Sequence, residues 1–99
     1  MLEVVFLLSA DVDVQSAYER FEDFTEGRGD QFLALLYHLK DLLGKNPRMG
    51  VAVGRGFRKL SMTRFDYGIF YTIEGGRIFV SAVLDLRQNP ETIRARLGL

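Results

Sequence analysis

Five lysine and arginine residues and no acidic residue occur in the segment GKNPRMGVAVGRGFRK, which runs from Gly44 to Lys59. Side chains of this charge could contact a phosphate backbone or an acidic protein surface. Glycines at positions 50, 54 and 56 would let a partner approach the backbone closely. The segment is therefore either a contact surface for an anionic partner or a solvated basic face, and both interpretations remain open.

The formal net charge of the chain is zero, yet the charges are divided between its two halves. Residues 1–44 hold three basic against nine acidic residues, a net charge of −6, and residues 45–99 hold ten against four, a net charge of +6. This asymmetry favours an anionic partner for the second half. The alternative is that the acidic half covers the basic half in the folded chain.

Few other residues suit catalysis or metal binding. The chain has no cysteine, which excludes disulfides and thiolate metal sites. His38 is the only histidine, and its place beside a leucine stripe is typical of a partly buried structural histidine. The segment GVAVGRG lacks the lysine–serine ending of a nucleotide-binding loop. We therefore expect no metal and no cofactor.

The N-terminal run MLEVVFLL is too short to span a bilayer, and it lacks the positive start of a signal peptide. With 47% hydrophobic residues, a chain of 99 residues can bury one core without disulfides. We expect a single domain over residues 1–99 that is cytoplasmic and has no membrane partner.

Hydrophobic periodicity indicates which elements position the basic residues. Residues 2–8 form an apolar run typical of a buried strand, and Ser9 is the predicted start of a helix. A second helix is predicted over residues 31–43, with Asp30 as its N-terminal cap and Gly44 as its C-terminal cap. Because the short polar stretch TEGRGD separates them, the two amphipathic helices predict a helical hairpin.

The remainder of the chain alternates as an antiparallel sheet does. Strands are predicted over 57–63, 67–73 and 77–84, followed by a short helix from Asn89 or Pro90. The predicted fold is α+β, with an N-terminal strand, a helical hairpin packed on one face of a mostly antiparallel four-stranded sheet, and a short C-terminal helix. Strand alternation places Lys59 on the open face, and Leu60 and Met62 toward the helices.

Several segments, in this order, resemble the RelE/ParE superfamily of type II toxins, which includes plasmid stabilisation systems. They are Asn46-Pro47-Arg48-Met49-Gly50, Arg58-Lys59-Leu60, Tyr67-Gly68-Ile69-Phe70-Tyr71, Val83-Leu84 followed by Arg87, and Asn89-Pro90-Glu91. The resemblance covers most of the chain. It implies a growth-inhibiting toxin that a cognate antitoxin protein neutralises. The implied target is DNA gyrase in the ParE-like branch, and mRNA on the ribosome in the RelE-like branch.

Cleavage of RNA through its 2′-hydroxyl requires a base, a group that stabilises the phosphate and preferably an acid. Lys59 and Arg87 could stabilise the phosphate, and a desolvated lysine can act as a base. Relative to RelE-like nucleases, however, Ser61 stands in place of a second lysine, Gly68 of an arginine and Asp85 of a histidine. The tyrosine expected near the C-terminal end has no evident counterpart.

We therefore interpret the chain as a ParE-like toxin that inhibits DNA gyrase by binding. A ribosome-dependent mRNA endoribonuclease that uses Lys59 and Arg87 is the first alternative, and a non-toxic antitoxin-binding relative is the second. The predicted target-binding residues are Arg48, Arg55, Arg58, Lys59, Arg64 and Arg87. The predicted antitoxin-binding residues are Phe24 and Tyr37, two aromatic side chains of the helices.

Overall fold

The apolar repeats of the sequence form three helices and five strands in the computed structural model, which describes residues 1–99. In chain order the elements are β1 (Glu3–Phe6), α1 (Leu8–Phe24), α2 (Arg28–Lys45), β2 (Val51–Gly54), β3 (Phe57–Met62), β4 (Tyr67–Glu74), β5 (Arg77–Asp85) and α3 (Pro90–Leu97). The strand order is β1-β5-β4-β3-β2, with β1 parallel to β5 and all other neighbours antiparallel. The predicted α+β class is confirmed.

The sheet has five strands, whereas the sequence predicted four. The additional strand is β2, whose residues VAVG the glycine-rich pattern predicts as a loop. It pairs with β3, and between them the chain reverses through Gly54, Arg55 and Gly56 at φ angles of 124°, 51° and 81°. Because glycine adopts positive φ without steric penalty, two of these three residues make the reversal easy.

Helices α1 and α2 pack on one face of the sheet. Helix α2 contributes Phe32, Leu36 and Leu43, all of them fully or almost fully buried. The strand residues that face them are Leu60, Met62, Tyr67, Ile69, Tyr71, Ile78, Val80 and Val83. This alternation confirms the inward direction of Leu60 and Met62, and it leaves Lys59 on the outer face.

One buried hydroxyl connects the core to the basic segment. Tyr71 is fully buried, and its hydroxyl accepts a hydrogen bond from the N–H of Gly50 at 2.9 Å and donates one to the carbonyl of Pro47 at 2.6 Å. A Cβ at Gly50 would lie only 2.7 Å from that hydroxyl oxygen, so the close approach requires glycine. Tyr71 therefore fixes the connection between the end of α2 and the start of β2.

The N-terminus of α2 is capped by a residue of α1 rather than by the predicted Asp30. Helix α2 begins at Arg28, and the carboxylate of Glu22 accepts hydrogen bonds from the N–H groups of Gly27, Gly29 and Asp30 at 3.2, 2.8 and 3.4 Å. A carboxylate here satisfies donors that have no partner within the helix and interacts favourably with the helix dipole. The capping group is several residues away in the sequence, which is why a local pattern misses it.

Gly44 also differs from its predicted role as a helix end. Helix α2 continues to Lys45, and the carbonyl of Gly44 accepts a hydrogen bond from the N–H of Leu2 at 2.8 Å. A Cβ at Gly44 would lie 2.9 Å from the carbonyl oxygen of Leu2. The glycine therefore permits close contact between α2 and the residues that precede β1. At the other helix, α1 begins at Leu8, one residue before the predicted Ser9.

Helix α3 covers part of the outer face, which the sequence predicts to be partly open. It begins at Pro90, one of the two predicted starts, and the side chain of Asn89 caps it by accepting a hydrogen bond from the N–H of Glu91 at 2.9 Å. Ile93 and Leu97 pack on a small buried cluster of the outer face, formed by Phe70, Ala82 and Leu84. No residue of α3 is itself buried, so apolar packing holds this helix only loosely.

Asp13 of α1 joins α3 to the edge of the sheet, and we call this contact the Asp13 clasp. Strand β1 ends opposite Val80, so beyond that residue β5 has no neighbouring strand on this side. The Asp13 carboxylate accepts a hydrogen bond from the N–H of Val83 at 3.0 Å. The same carboxylate binds the guanidinium of Arg96 through contacts of 3.0 and 2.8 Å. One side chain thus replaces a missing strand partner and holds α3.

The substitution Asp13→Asn should loosen α3. Asparagine keeps an oxygen that can accept from Val83 but removes the charge that pairs with Arg96. We expect the free energy of unfolding in urea to fall by about 1–2 kcal/mol. We also expect the amides of α3 to exchange faster with solvent. Asp11→Asn is the matched control, because Asp11 lies in the first turn of the same helix but is exposed. Equal stability and exchange in both variants would contradict the clasp.

Candidate functional site

The basic residues predicted to bind the target occupy three separate places. Arg48, Arg55 and Arg58 lie at the β2–β3 hairpin, and Lys59 lies on the outer face of β3. The remaining two are Arg64, which follows β3, and Arg87, which follows β5. Both strands end beside Tyr67, the first residue of β4, so these two arginines lie at the same edge of the sheet. Strand β3 has six residues, so its two ends are roughly 17 Å apart at about 3.4 Å per residue.

Arg48, Arg55 and Arg58 form what we call the basic hairpin surface. The guanidinium of Arg58 donates to the carbonyl of Gly50 at 2.7 Å and to that of Arg48 at 3.4 Å, so it is held against the segment that Tyr71 anchors. Arg48 and Arg58 line one hollow beside the hairpin, and Arg55 occupies the turn itself. None of the three forms an ion pair within the chain. Their charges are therefore available to an external anion.

Arg58 and Lys59 are adjacent in sequence but lie on opposite faces of the sheet. Arg58 points to the same inner face as Leu60, two residues further on, and Lys59 points to the same outer face as Ser61. Lys59 is half-buried and lines a hollow beneath α3 together with Arg94. The structure thus separates Lys59 from the basic hairpin surface and places it beside a cation that sequence analysis did not select.

Arg64 lies in the turn between β3 and β4, near Arg28 of α2. The guanidinium of Arg28 donates to the carbonyl of Arg64 at 3.4 Å and stands 4.2 Å from the ring centroid of Phe65. The guanidinium of Arg64 lies 5.9 Å from the same centroid. Two cations on one aromatic ring form a second, smaller basic site. The sequence pattern does not indicate Arg28 as part of this site, because 36 residues separate it from Arg64.

Arg87 is bound to Asp85 rather than free. Its Nε and Nη2 donate to the two carboxylate oxygens at 3.1 and 3.0 Å, and its backbone N–H donates to Asp85 Oδ1 at 2.9 Å. Arg20 reaches the same carboxylate at 3.4 Å, and it donates to the hydroxyl of Tyr67 at 3.4 Å. One carboxylate therefore compensates much of the charge of two arginines.

This pairing fixes the protonation state of Asp85. The hydrogen bonds from Arg87 lower the pKa of Asp85 below its ordinary value, and the same carboxylate raises the pKa of Arg87. At neutral pH Asp85 is consequently ionised and cannot donate a proton as a histidine would. Burial raises the pKa of the Tyr67 hydroxyl, which therefore stays protonated. The local arrangement supplies charge and hydrogen bonds, and its carboxylate is not an acid near neutral pH.

The two aromatic residues predicted to bind the antitoxin are both exposed, but they are apart. Phe24 ends α1 and is 84% exposed, and Tyr37, in the middle of α2, is 55% exposed. Tyr37 lies nine residues after Arg28, the start of α2, which corresponds to about 14 Å along the helix axis. Asp11 and Val14 line, with Tyr37, two adjoining hollows between the helices. Tyr37 therefore belongs to a groove between the two helices, whereas Phe24 lies at the end of the helical hairpin, where α1 ends.

Two further exposed apolar residues, which the sequence did not indicate, lie at the start of α1. Leu8 is 79% exposed and Val12 is 57% exposed, and residues four apart share one helix face. The apolar run over residues 2–8 predicts that Leu8 belongs to a buried strand, whereas Leu8 is in fact the exposed first residue of α1. His38, predicted to be partly buried, is in fact exposed.

No cluster of three or more histidine, cysteine, aspartate or glutamate residues is arranged to hold a metal ion. No helix is both long enough and apolar enough to cross a bilayer.

The substitution Arg87→Met should raise the pKa of Asp85 toward the ordinary value for aspartate, because it removes the largest stabilising contact of the carboxylate. A carboxyl ¹³C NMR titration measures this directly, and Arg94→Met is the charge-matched control. In the wild type, a lowered folded-state pKa means that the contribution of Asp85 to stability is lost as the pH falls through that pKa. An identical Asp85 titration in both variants would contradict the assignment.

Comparison with known proteins relates this geometry to a family. A solved structure of the "Chromosomal ParDE TA system from P. aeruginosa" contains a similar fold, with a TM-score of 0.78 at 13% sequence identity over 88% of this chain and 98% of that chain. No curated protein sequence matches the chain. Residues 4–90 match the family model described as "ParE toxin of type II toxin-antitoxin system, parDE". The chain, with its five-stranded sheet and basic hairpin, belongs to this ParE toxin family.

Proposed function

We propose that this chain is the growth-inhibiting component of a toxin–antitoxin pair, that its target is DNA gyrase, and that a cognate antitoxin neutralises it. Family membership supports the toxin role. The proposed action is stoichiometric binding in the cytoplasm, without catalysis. Such a pair can stabilise a plasmid or a chromosomal locus, because a cell that loses the antitoxin gene is inhibited by the remaining toxin.

The observation that carries this proposal is the basic hairpin surface. Arg48, Arg55 and Arg58 have no acidic partner within the chain, and Tyr71 and Gly50 fix the backbone beside Arg48 and Arg58. A guanidinium binds carboxylates and phosphates with two parallel hydrogen bonds, so an exposed cluster of arginines suits an anionic macromolecular surface. A topoisomerase engaged on DNA offers both kinds of group.

The surroundings of Arg87 favour binding over RNA cleavage. The nuclease alternative requires Arg87 to stabilise the phosphate, yet its guanidinium is already engaged with Asp85. Asp85 is ionised near neutral pH, so it does not supply the acid. Lys59 then lacks the arginine and the acid that the nuclease alternative requires, because its neighbouring cation is Arg94 rather than Arg87.

The antitoxin contacts are proposed at the helical hairpin. Tyr37 is exposed between two hollows that are lined in part by Val14, and Phe24 is the most exposed aromatic ring of the helices. An amphipathic segment of a disordered partner would gain apolar burial there and order on binding. Its acidic residues could then reach the basic hairpin surface and exclude the target.

The double substitution Arg48→Met and Arg55→Met tests the target. Purified wild-type chain should inhibit DNA supercoiling by gyrase, and the double variant should need roughly tenfold or more protein for equal inhibition. Expression of the wild type in a bacterial host should cause filamentation and a DNA damage response. Arg77→Met is the control for the loss of a cation elsewhere on the surface, because Arg77 is exposed and already paired with Glu3 at 3.0 Å.

Three outcomes would contradict the proposal. Undisturbed supercoiling together with arrested translation and cut transcripts would establish the nuclease alternative instead. Normal growth despite expression of folded protein would indicate a non-toxic antitoxin-binding relative. Equal loss of inhibition in the double variant and the Arg77→Met control would show that the basic hairpin surface is not the contact.

A further inference from the structure

The outer face of the sheet carries a hollow that the proposed toxin activity does not use. It lies between α3 and the strands, has a volume of about 240 Å³, and we call it the α3 hollow. Its apolar wall is formed mainly by Val53, Phe70, Leu86, Ile93 and Leu97. Phe70 is almost fully buried, so the strand side of the wall is firmly packed.

Two cations line this apolar hollow. Lys59 reaches it from β3, and Arg94 reaches it from α3. Neither forms an ion pair within the chain, and Lys59 is half-buried. A partly desolvated ammonium without a carboxylate partner is unfavourable, so an anion supplied from outside would be stabilised at this position.

The size of the hollow limits what it can hold. Its volume equals that of roughly eight water molecules at about 30 Å³ each, and it lies slightly below the range of about 300–1,000 Å³ that is typical of ligand pockets. One or two fused rings match the size of this space, which is partly open to solvent.

We propose that the α3 hollow binds a small aromatic carboxylate of one or two rings, with the rings against Phe70, Ile93 and Leu97 and the carboxylate between Lys59 and Arg94. The apolar wall provides most of the burial, and the two cations select an anionic ligand over a neutral one. The site is distinct from the basic hairpin surface, because Lys59 and Arg58 lie on opposite faces of the sheet. The inference therefore stands independently of the gyrase proposal.

The test is an NMR titration of the full ¹⁵N-labelled chain with 2-naphthoate, with the uncharged 2-naphthamide as the matched ligand. We expect amide shifts to concentrate in β3, β4 and α3, with naphthoate binding roughly tenfold more tightly than naphthamide. Lys59→Met and Arg94→Met should each weaken naphthoate binding by roughly three- to tenfold and leave naphthamide binding nearly unchanged. Arg55→Met, which removes a cation outside the hollow, should bind naphthoate as the wild type does.

Several results would overturn the inference. Equal affinity for naphthoate and naphthamide would show that the cations do not select the ligand. Binding of inorganic phosphate as tightly as naphthoate would show that the apolar wall contributes nothing. Shifts that map to the basic hairpin surface, or an equal effect of Arg55→Met and Lys59→Met, would place the binding elsewhere.

Discussion

The hydroxyl of Tyr71 is the constraint on which the position of the basic hairpin surface depends. It is buried at the centre of the sheet and takes part in two hydrogen bonds with a segment that has no regular structure, to Pro47 and Gly50. A buried backbone group without a partner is unfavourable by about 1–3 kcal/mol, so this segment has little freedom to move away. Arg58 adds a third contact at Gly50. Arg48 and Arg58 are thus held on a fixed backbone, which would lower the entropy lost when a target binds.

The division of charge along the chain has two consequences in the fold. Arg77 and Arg96 of the basic half pair with Glu3 and Asp13 of the acidic half, so the acidic half partly neutralises the basic one. The basic hairpin surface escapes this neutralisation. Internal pairing, one of the two interpretations that the sequence left open, therefore holds for Arg77 and Arg96, and external contact is our proposal for the hairpin arginines. The alternation of side chains along β3 also separates two neighbouring cations, because Arg58 and Lys59 point to opposite faces of the sheet.

Elements with strong periodicity could be predicted from the sequence, and contacts between distant residues could not. The leucine stripe of α2 and the alternation of β3, β4 and β5 indicate their buried faces directly. Strand β2 is missed because its four residues end in glycine and are too few to show alternation. The Asp13 clasp joins residues that are 83 positions apart in the sequence. The sequence shows Asp85 only as a replacement for an expected histidine, whereas the structure shows that it pairs with Arg87. Such pairings depend on tertiary structure, which no local pattern encodes.

The basic hairpin surface, which Tyr71 holds in place, is the proposed contact with the target. The most direct measurement compares inhibition of gyrase supercoiling by Tyr71→Phe and Tyr37→Phe, each of which removes one hydroxyl. Tyr71→Phe leaves Gly50 and Pro47 without their partner, and we predict a several-fold loss of inhibition at a temperature where the variant is still folded. Tyr37→Phe should inhibit as the wild type does. Full inhibition by folded Tyr71→Phe, in which the Gly50 amide exchanges faster with solvent, would contradict the account.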